Sequence, residues 1–293
     1  MNDSDGIRLN KFLASCGVGS RRACDAQVQQ GHVEINGKVC LNPAERVTLT
    51  DFVKVDGKRV QPKRTTTIAF NKPRGLVCSK DDELGRSTIF EALPVQLSHL
   101  NHVGRLDRDS EGLLILTNDG QLAQTLLHPS KDVEKEYLVT ANQHLADEHL
   151  DQFLRGIFVE EGKVKLRAKE IERLSPRRLR IVLTTGYKRQ IRVMLEAMGY
   201  TVQRLVRVRI GSFHLNDMPP GAWVPLEAEE IAALSVNPRV KARPKAKREV
   251  PADRRKPSSS KRPPGKKLAS FGKGRPAAKK SPAGKKTGRR RPQ

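Results

Sequence analysis

The sequence predicts an α+β protein: a small N-terminal module, then a larger domain with a mixed, mainly antiparallel sheet, then a polar tail. Three observations predict it. Strand-like and helix-like segments do not alternate strictly, and several strands look hairpin-connected, which argues against a doubly wound parallel sheet. The first sixty or so residues read as two short helices followed by two hairpins. From Pro238 the composition changes to Lys, Arg, Pro, Gly, Ala and Ser. Boundaries are expected at 1–62, 63–237 and 238–293.

In the first module, Leu9, Phe12, Leu13 and Cys16 recur at helical spacing and Gly17 stops the run. Ser20 is a good cap for a second helix that ends at Gly31. HVEINGKVC and DFVKVDGKRV each carry a strong hairpin dipeptide, Asn36-Gly37 and Asp56-Gly57. The helices carry Arg8, Lys11, Arg21 and Arg22 close together. In the second domain, IAFNKP, GLLILTN, KEYLVT and RLRIVLTT read as strands, and QLAQTLLH, ADEHLDQFL and RQIRVMLEAMG as amphipathic helices. PPGAWVPLEAEEIAAL reads as a turn and a short closing helix. The tail has one aromatic, Phe271, and too little apolar area to offset chain entropy, so disorder is expected there.

The formal net charge of +24 makes a polyanion the first partner to consider. Its distribution matters more than its size. Residues 238–293 hold 22 of the 56 Lys and Arg but only two of the 32 acids; the rest keeps 34 bases against 30 acids and is nearly balanced. A nucleic-acid reading of the folded part must therefore rest on local clusters. The four cysteines, Cys16, Cys24, Cys40 and Cys78, form no C-x-x-C pair and have no His partners at zinc spacing. They read as reduced thiols of a cytoplasmic protein. No apolar leader and no apolar run of about 18 residues occurs, so no membrane association is expected.

The segment that carries chemistry is HVGRLDRDSEGLLILTNDG, His102 to Gly120. Asp107 sits between Arg105 and Arg108 on a loop feeding an apolar strand, a common place for a positioned side chain. Flanking cations favour a charged carboxylate that can serve as nucleophile or base. Taken alone, Arg-x-Asp-Arg reads more readily as an exposed turn with surface ion pairs.

The motif has company. GRLDRDSEGLLILTNDG resembles the signature of the RsuA/RluB/RluE/RluF group of pseudouridine synthases. NKPRGLVCS, KEYLVT, GYKRQIRVMLEAMGY and LVRVRIGSFHL followed by GAW resemble further segments of that group, in the same order. RLNKFLASCGVGSRRACDAQVQQGHVEINGK resembles its S4 domain, an αL-type RNA-binding module. The resemblance spans roughly residues 7 to 235. It implies isomerisation of uridine in ribosomal RNA by breaking the glycosidic C–N bond, rotating the base and rejoining it through carbon, without cofactor or metal. Asp107 matches the catalytic aspartate. Arg105 matches the basic residue that holds the target nucleotide extruded, which is needed because a stacked base hides the reacting bond. Tyr137 matches the tyrosine that packs on the uracil, and Arg192 the basic partner of the aspartate. Lys188, Arg189 and Gln190 beside it are expected to touch RNA. Arg8, Lys11, Arg21 and Arg22 are expected on its phosphates, contacts that position without reading sequence.

This chain departs from the group's pattern at Lys188, where Asn is usual, and at Val193, where a second Arg is usual. KDVEKEYLVT and the basic tail look closest to the RluF branch, which implies a 23S rRNA or large-subunit precursor substrate. RQIR argues against the RsuA branch. A monomer is expected. Two other readings are weighed. One is a non-catalytic S4-type assembly factor, which the intact Asp107, Tyr137 and Arg192 set argues against. The other is a hydrolase, for which a paired carboxylate or a metal site would be expected.

Overall fold

The computed structural model describes residues 6–80, 82–159 and 163–238. The disorder expected of the tail concerns 239–293, outside the described residues. The N-terminal module contains β1 (Ile7–Arg8), α1 (Leu9–Ser15), α2 (Arg21–Gln29), β2 (Val33–Ile35), β3 (Lys38–Val39), β4 (Arg46–Val47), β5 (Val53–Val55) and β6 (Lys58–Arg59). The Ser20 hydroxyl accepts from the amide of Ala23 and starts α2, as its place before the apolar positions predicts. Asn36 and Gly37 have φ of 50° and 80°, Asp56 and Gly57 of 47° and 74°. Both pairs are left-handed at both central positions, which is what these dipeptides permit and a tight hairpin needs. The hairpins join along β2 and β5 into one sheet of order β3-β2-β5-β6. Leu9, Phe12, Leu13, Cys24, Val28, Val33, Val47 and Val53 fill the core between helices and sheet. Arg8 departs from expectation. It lies outside the helix, extended in β1 and paired with Arg46, because Ile7 pairs with Val47 and holds the chain straight up to α1.

The larger domain contains β7 (Thr67–Lys72), β8 (Asn101–Val103), β9 (Glu111–Thr117), α3 (Gly120–Leu127), β10 (Lys135–Ala141), α4 (Asp147–Arg155), β11 (Ile157–Val159), β12 (Val164–Leu166), β13 (Glu170–Ser175), β14 (Arg178–Leu183), α5 (Gln190–Glu196), β15 (Val202–Ile210), β16 (Phe213–His214), β17 (Trp223–Pro225) and α6 (Ala228–Ser235). The mixed, mainly antiparallel sheet forms as predicted. It has nine strands in the order β13-β14-β10-β15-β9-β7-β17, with β16 on β15 and β8 on β9. GAWVP, expected in a turn, supplies the edge strand β17 against β7. Pro225 is compatible with that place because an edge strand leaves one side without ladder partners. No helix among the described residues is long and apolar enough to cross a membrane.

One junction decides where chemistry can sit. Every pair in this sheet is antiparallel except β9 with β15, which run parallel with Arg207 opposite Gly112. The chain segments that enter these two strands therefore arrive at the same end of the sheet. Gly112 has φ of 104°, and a Cβ placed on it would lie 2.3 Å from the Arg207 carbonyl oxygen. Only glycine lets the strands approach so closely. Gly112→Ala is expected to lower stability by roughly 3 kcal/mol or more, since left-handed strain adds to a clash with backbone that cannot step aside. Urea unfolding monitored by circular dichroism checks this; a change under about 1 kcal/mol would contradict it.

Candidate active site

The loop between β8 and β9 carries Asp107, and α5, which precedes β15, carries Arg192. Chain entry at the common end of β9 and β15 brings them together, with Arg192 Nε 4.0 Å from Asp107 Oδ2. Arg192 is buried and holds more than the aspartate. Its Nη1 donates to the Val202 carbonyl at 3.2 Å, and its Nη2 to the Asp109 carbonyl at 3.2 Å and the Ser110 hydroxyl at 3.4 Å. Among the described residues Nε has no hydrogen-bond partner; it faces the carboxylate. Burial pulls the guanidinium below the ordinary arginine range and Arg189 adds to that, while Asp107 and Asp109 pull it back.

A second buried cation grips the same loop from below. Lys72, at the end of β7, is wholly buried, and its Nζ donates to the carbonyls of Ser110 at 2.8 Å, Pro73 at 3.0 Å and Arg108 at 3.4 Å. Burial lowers its proton affinity; nearby carboxylates including Asp107, Asp109 and Glu111 oppose the loss. The Gly75 amide donates to the Arg108 carbonyl, and the Ser110 amide closes a turn on Asp107. The loop is thus fixed at almost every carbonyl, which presets the Asp107 side chain. That side chain remains 33% exposed.

Asp107 opens onto a cleft of about 410 Å³, whose lining includes Arg105, Tyr137, Lys188, Arg189 and Arg207. That volume lies within the range of sites for small organic groups, roughly 300–1,000 Å³. Tyr137, half-buried in β10, packs at the meeting of two apolar clusters. Arg105, Lys188 and Arg189 are exposed around it. Arg189 has φ of 56°, so the chain turns through a left-handed residue just before α5.

Comparison with known proteins places the chain in a family. Residues 66–197 match the family described as RNA pseudouridylate synthase, and residues 7–53 match the S4 domain. The ribosomal large subunit pseudouridine synthase B of Yersinia pestis is 35% identical over 260 residues, covering 85% of this chain and 82% of that protein. The chain belongs to the RNA pseudouridylate synthase family. The dual-specificity RNA pseudouridine synthase RluF of Escherichia coli K12 is 36% identical over 263 residues, covering 84% of this chain and 87% of that synthase. A solved pseudouridylate synthase, 28% identical, superposes with a TM-score of 0.58 over 78% of this chain and 100% of its own.

In this pseudouridine synthase, sequence reasoning picked out four residues that the fold gathers at one cleft: Asp107, Arg105 and Tyr137 in its lining, and Arg192 against the aspartate. Three other expectations need revision. Arg108 does not sit on Asp107; its Nε points away, to the Gly75 carbonyl at 3.3 Å. Gln190 is not available to RNA. It is buried, its Oε1 accepts from the Thr185 hydroxyl and the Tyr187 amide, and its Nε2 donates to the Arg167 carbonyl. A glutamine at the first position of α5 has unpaired backbone to cap on both sides, and here that local need takes its amide. Arg8 is exposed like Lys11, Arg21 and Arg22, but on β1 and not on a helix. Sequence reasoning missed Lys72, Lys135 and Arg207. Lys72 lay in the quoted NKPRG segment, where a lysine closing a run of apolar strand residues hints at a buried ammonium.

Proposed function

We propose that this synthase isomerises uridine to pseudouridine in ribosomal RNA, that its substrate is the large-subunit 23S rRNA or a precursor of it, and that it works as a cytoplasmic monomer. The observation that carries the chemistry is the Asp107–Arg192 pair at the mouth of a cleft that also presents Tyr137. Relatives named for the large subunit and for the RluF branch match at 35% and 36% identity, which supports the substrate.

In this reading Arg105 enters the RNA helix and holds the target nucleotide extruded; its planar guanidinium can stack on bases and pair with phosphate. Tyr137 packs on the uracil ring, an interaction worth roughly 1–3 kcal/mol per base. Asp107 acts on the sugar-directed step, and Arg192 keeps it aimed. Lys188 and Arg189 meet the RNA backbone at the rim, and Arg8, Lys11, Arg21 and Arg22 meet it on the N-terminal module. A hydrolytic reading fares worse, because Glu111, a neighbouring carboxylate, is held by Arg204 at 2.9 Å. The test is chemical mapping of pseudouridine in rRNA incubated with the protein. One new site in large-subunit RNA is expected; a site in small-subunit RNA alone would refute the substrate.

The tail should add affinity without choice of site. Deleting 238–293 removes a net +20 of charge, 22 bases less two acids. Binding at low salt should weaken and the dependence of log affinity on log salt should flatten, while the modified uridine stays the same. Filter binding across a salt series, with mapping of the product, checks both halves; modification at a different uridine would contradict the division of labour.

A further inference from the structure

Two arginines of β15 are equally buried, at 4% exposure each, yet they are treated in opposite ways. Arg209 meets Glu134 at 3.0 Å and Glu136 at 2.9 Å. Arg207 meets no carboxylate within 4.0 Å among the described residues; its Nε donates to the Leu113 carbonyl at 2.7 Å, and its Nη2 is buried without a partner. The difference comes from a bulge. Arg209 stands opposite Glu136 and Arg207 opposite Tyr137, so Val208 between them has no partner on β10. The extra residue turns Arg207 to the face of Tyr137 and Arg209 to the face of Glu136. Lys135, two residues before Tyr137, shares the cleft face with Arg207. Among the described residues its Nζ makes one hydrogen bond, a long one of 3.4 Å to the Leu126 carbonyl.

We propose that Lys135 and Arg207 form a subsite in the floor of the cleft for an electron-rich oxygen of the target nucleotide. The inference rests on the reading of the cleft as the uridine site and adds a ligand group to it. A buried guanidinium beside a half-buried ammonium is costly unless something negative or strongly polar meets them. On the other face the protein supplies carboxylates for that purpose. On the cleft face it leaves a buried guanidinium nitrogen unpaired, which fits a partner that comes with the substrate. Two oxygens of the nucleotide have this chemistry: a non-bridging oxygen of a flanking phosphate, and a carbonyl oxygen of the uracil.

The charge state has a pH signature. Burial, and then the neighbouring Arg207, lower the Lys135 ammonium to about 8, with Asp132 opposing them. The charged and titratable groups around it are Arg207 on β15, Asp132 on the approach to β10, Tyr137 on its own strand, Arg105 and Asp107 on the β8–β9 loop, and Lys188 and Arg189 before α5. Lys135 is therefore charged below pH 8 and loses its charge above it, whereas an arginine in its place stays charged.

The experiment compares full-length wild type with Lys135→Gln, Lys135→Arg and Arg207→Gln on an rRNA transcript carrying the target uridine. Thermal melting confirms that each is folded; Lys135 keeps the test open if Arg207→Gln, which gives up the bond to Leu113, is not. Lys135→Gln should lose about 100-fold in single-turnover rate over affinity, and Lys135→Arg should stay within about 10-fold of wild type. Affinity is measured with Asp107→Asn added to each variant. A loss confined to affinity assigns the oxygen to a phosphate; a loss confined to the rate at saturating RNA assigns it to the uracil. From pH 7 to pH 9, wild type should fall relative to Lys135→Arg. Folded Lys135→Gln with wild-type rate and affinity, or a wild-type to Lys135→Arg ratio that does not change with pH, would overturn the subsite. A wild type that forms no pseudouridine would instead overturn the reading of the cleft.

Discussion

Asp107→Asn should leave the protein folded and bound to RNA but without pseudouridine formation, a loss of about 10²–10⁴-fold or more. The carboxamide keeps the shape of the side chain and removes its capacity to attack or to accept a proton. Little stability is at stake. Asp107 is partly exposed, its contact with Arg192 is a loose 4.0 Å, and the loop beneath it is held by Lys72 and Arg192 through backbone carbonyls that the substitution leaves in place. Melting temperature and RNA affinity should therefore match wild type while chemical mapping finds no product. Turnover within tenfold of wild type, in protein purified free of the native enzyme, would mean that another group does the chemistry.

Arg192→Met should damage both rate and stability, and Arg192→Lys much less. Methionine fills a similar volume but strands the Val202 carbonyl, now buried without a donor, at roughly 1–3 kcal/mol, and also loses the part-buried bond to the Asp109 carbonyl. It also leaves the Asp107 carboxylate without the guanidinium that orients it. The expected outcome is a rate lowered by about 100-fold or more at neutral pH, together with a stability loss of about 2–5 kcal/mol. Lysine keeps the charge but loses the planar fork that reaches three acceptors at once. Single-turnover kinetics at neutral pH, paired with denaturant unfolding, separate the two losses. Near-normal turnover in Arg192→Met would mean that Asp107 works without this partner.

How far the sequence revealed this arrangement depended on whether the information was local. The hairpins at Asn36-Gly37 and Asp56-Gly57 were legible because left-handed backbone is a property of those dipeptides themselves. Asp107 and Arg192 were legible through ordered motifs, although 85 positions separate them in the chain. Gln190 misled, since the motif that names it does not say which way its amide turns. Arg207 and Arg209 were hidden for a sharper reason. Two residues apart in a strand, they read as sharing one face, and only the unpaired Val208 sends them to opposite faces. A bulge has no composition that announces it, so the cationic floor of the cleft could not be seen until the strands were paired.

The parallel contact between β9 and β15 also sets an order of assembly. The N-terminal module closes its sheet between Val33 and Arg59, so a nascent chain has all of that sheet's strands once its first sixty or so residues are free of the ribosome. The cleft has no such early route. Its Asp107 loop is made long before Arg192, and β9 gains its parallel neighbour only when β15, ending at Ile210, has emerged. At roughly 5–20 residues per second, several seconds pass between the two events. During that interval Glu111 and Gly112, at the start of β9, lack the β15 partners that complete the sheet, although β7 and β8 already flank Ile115 to Thr117 on both sides. A translation pause between about residues 120 and 210 therefore leaves the end of the sheet where the cleft forms as the part completed last.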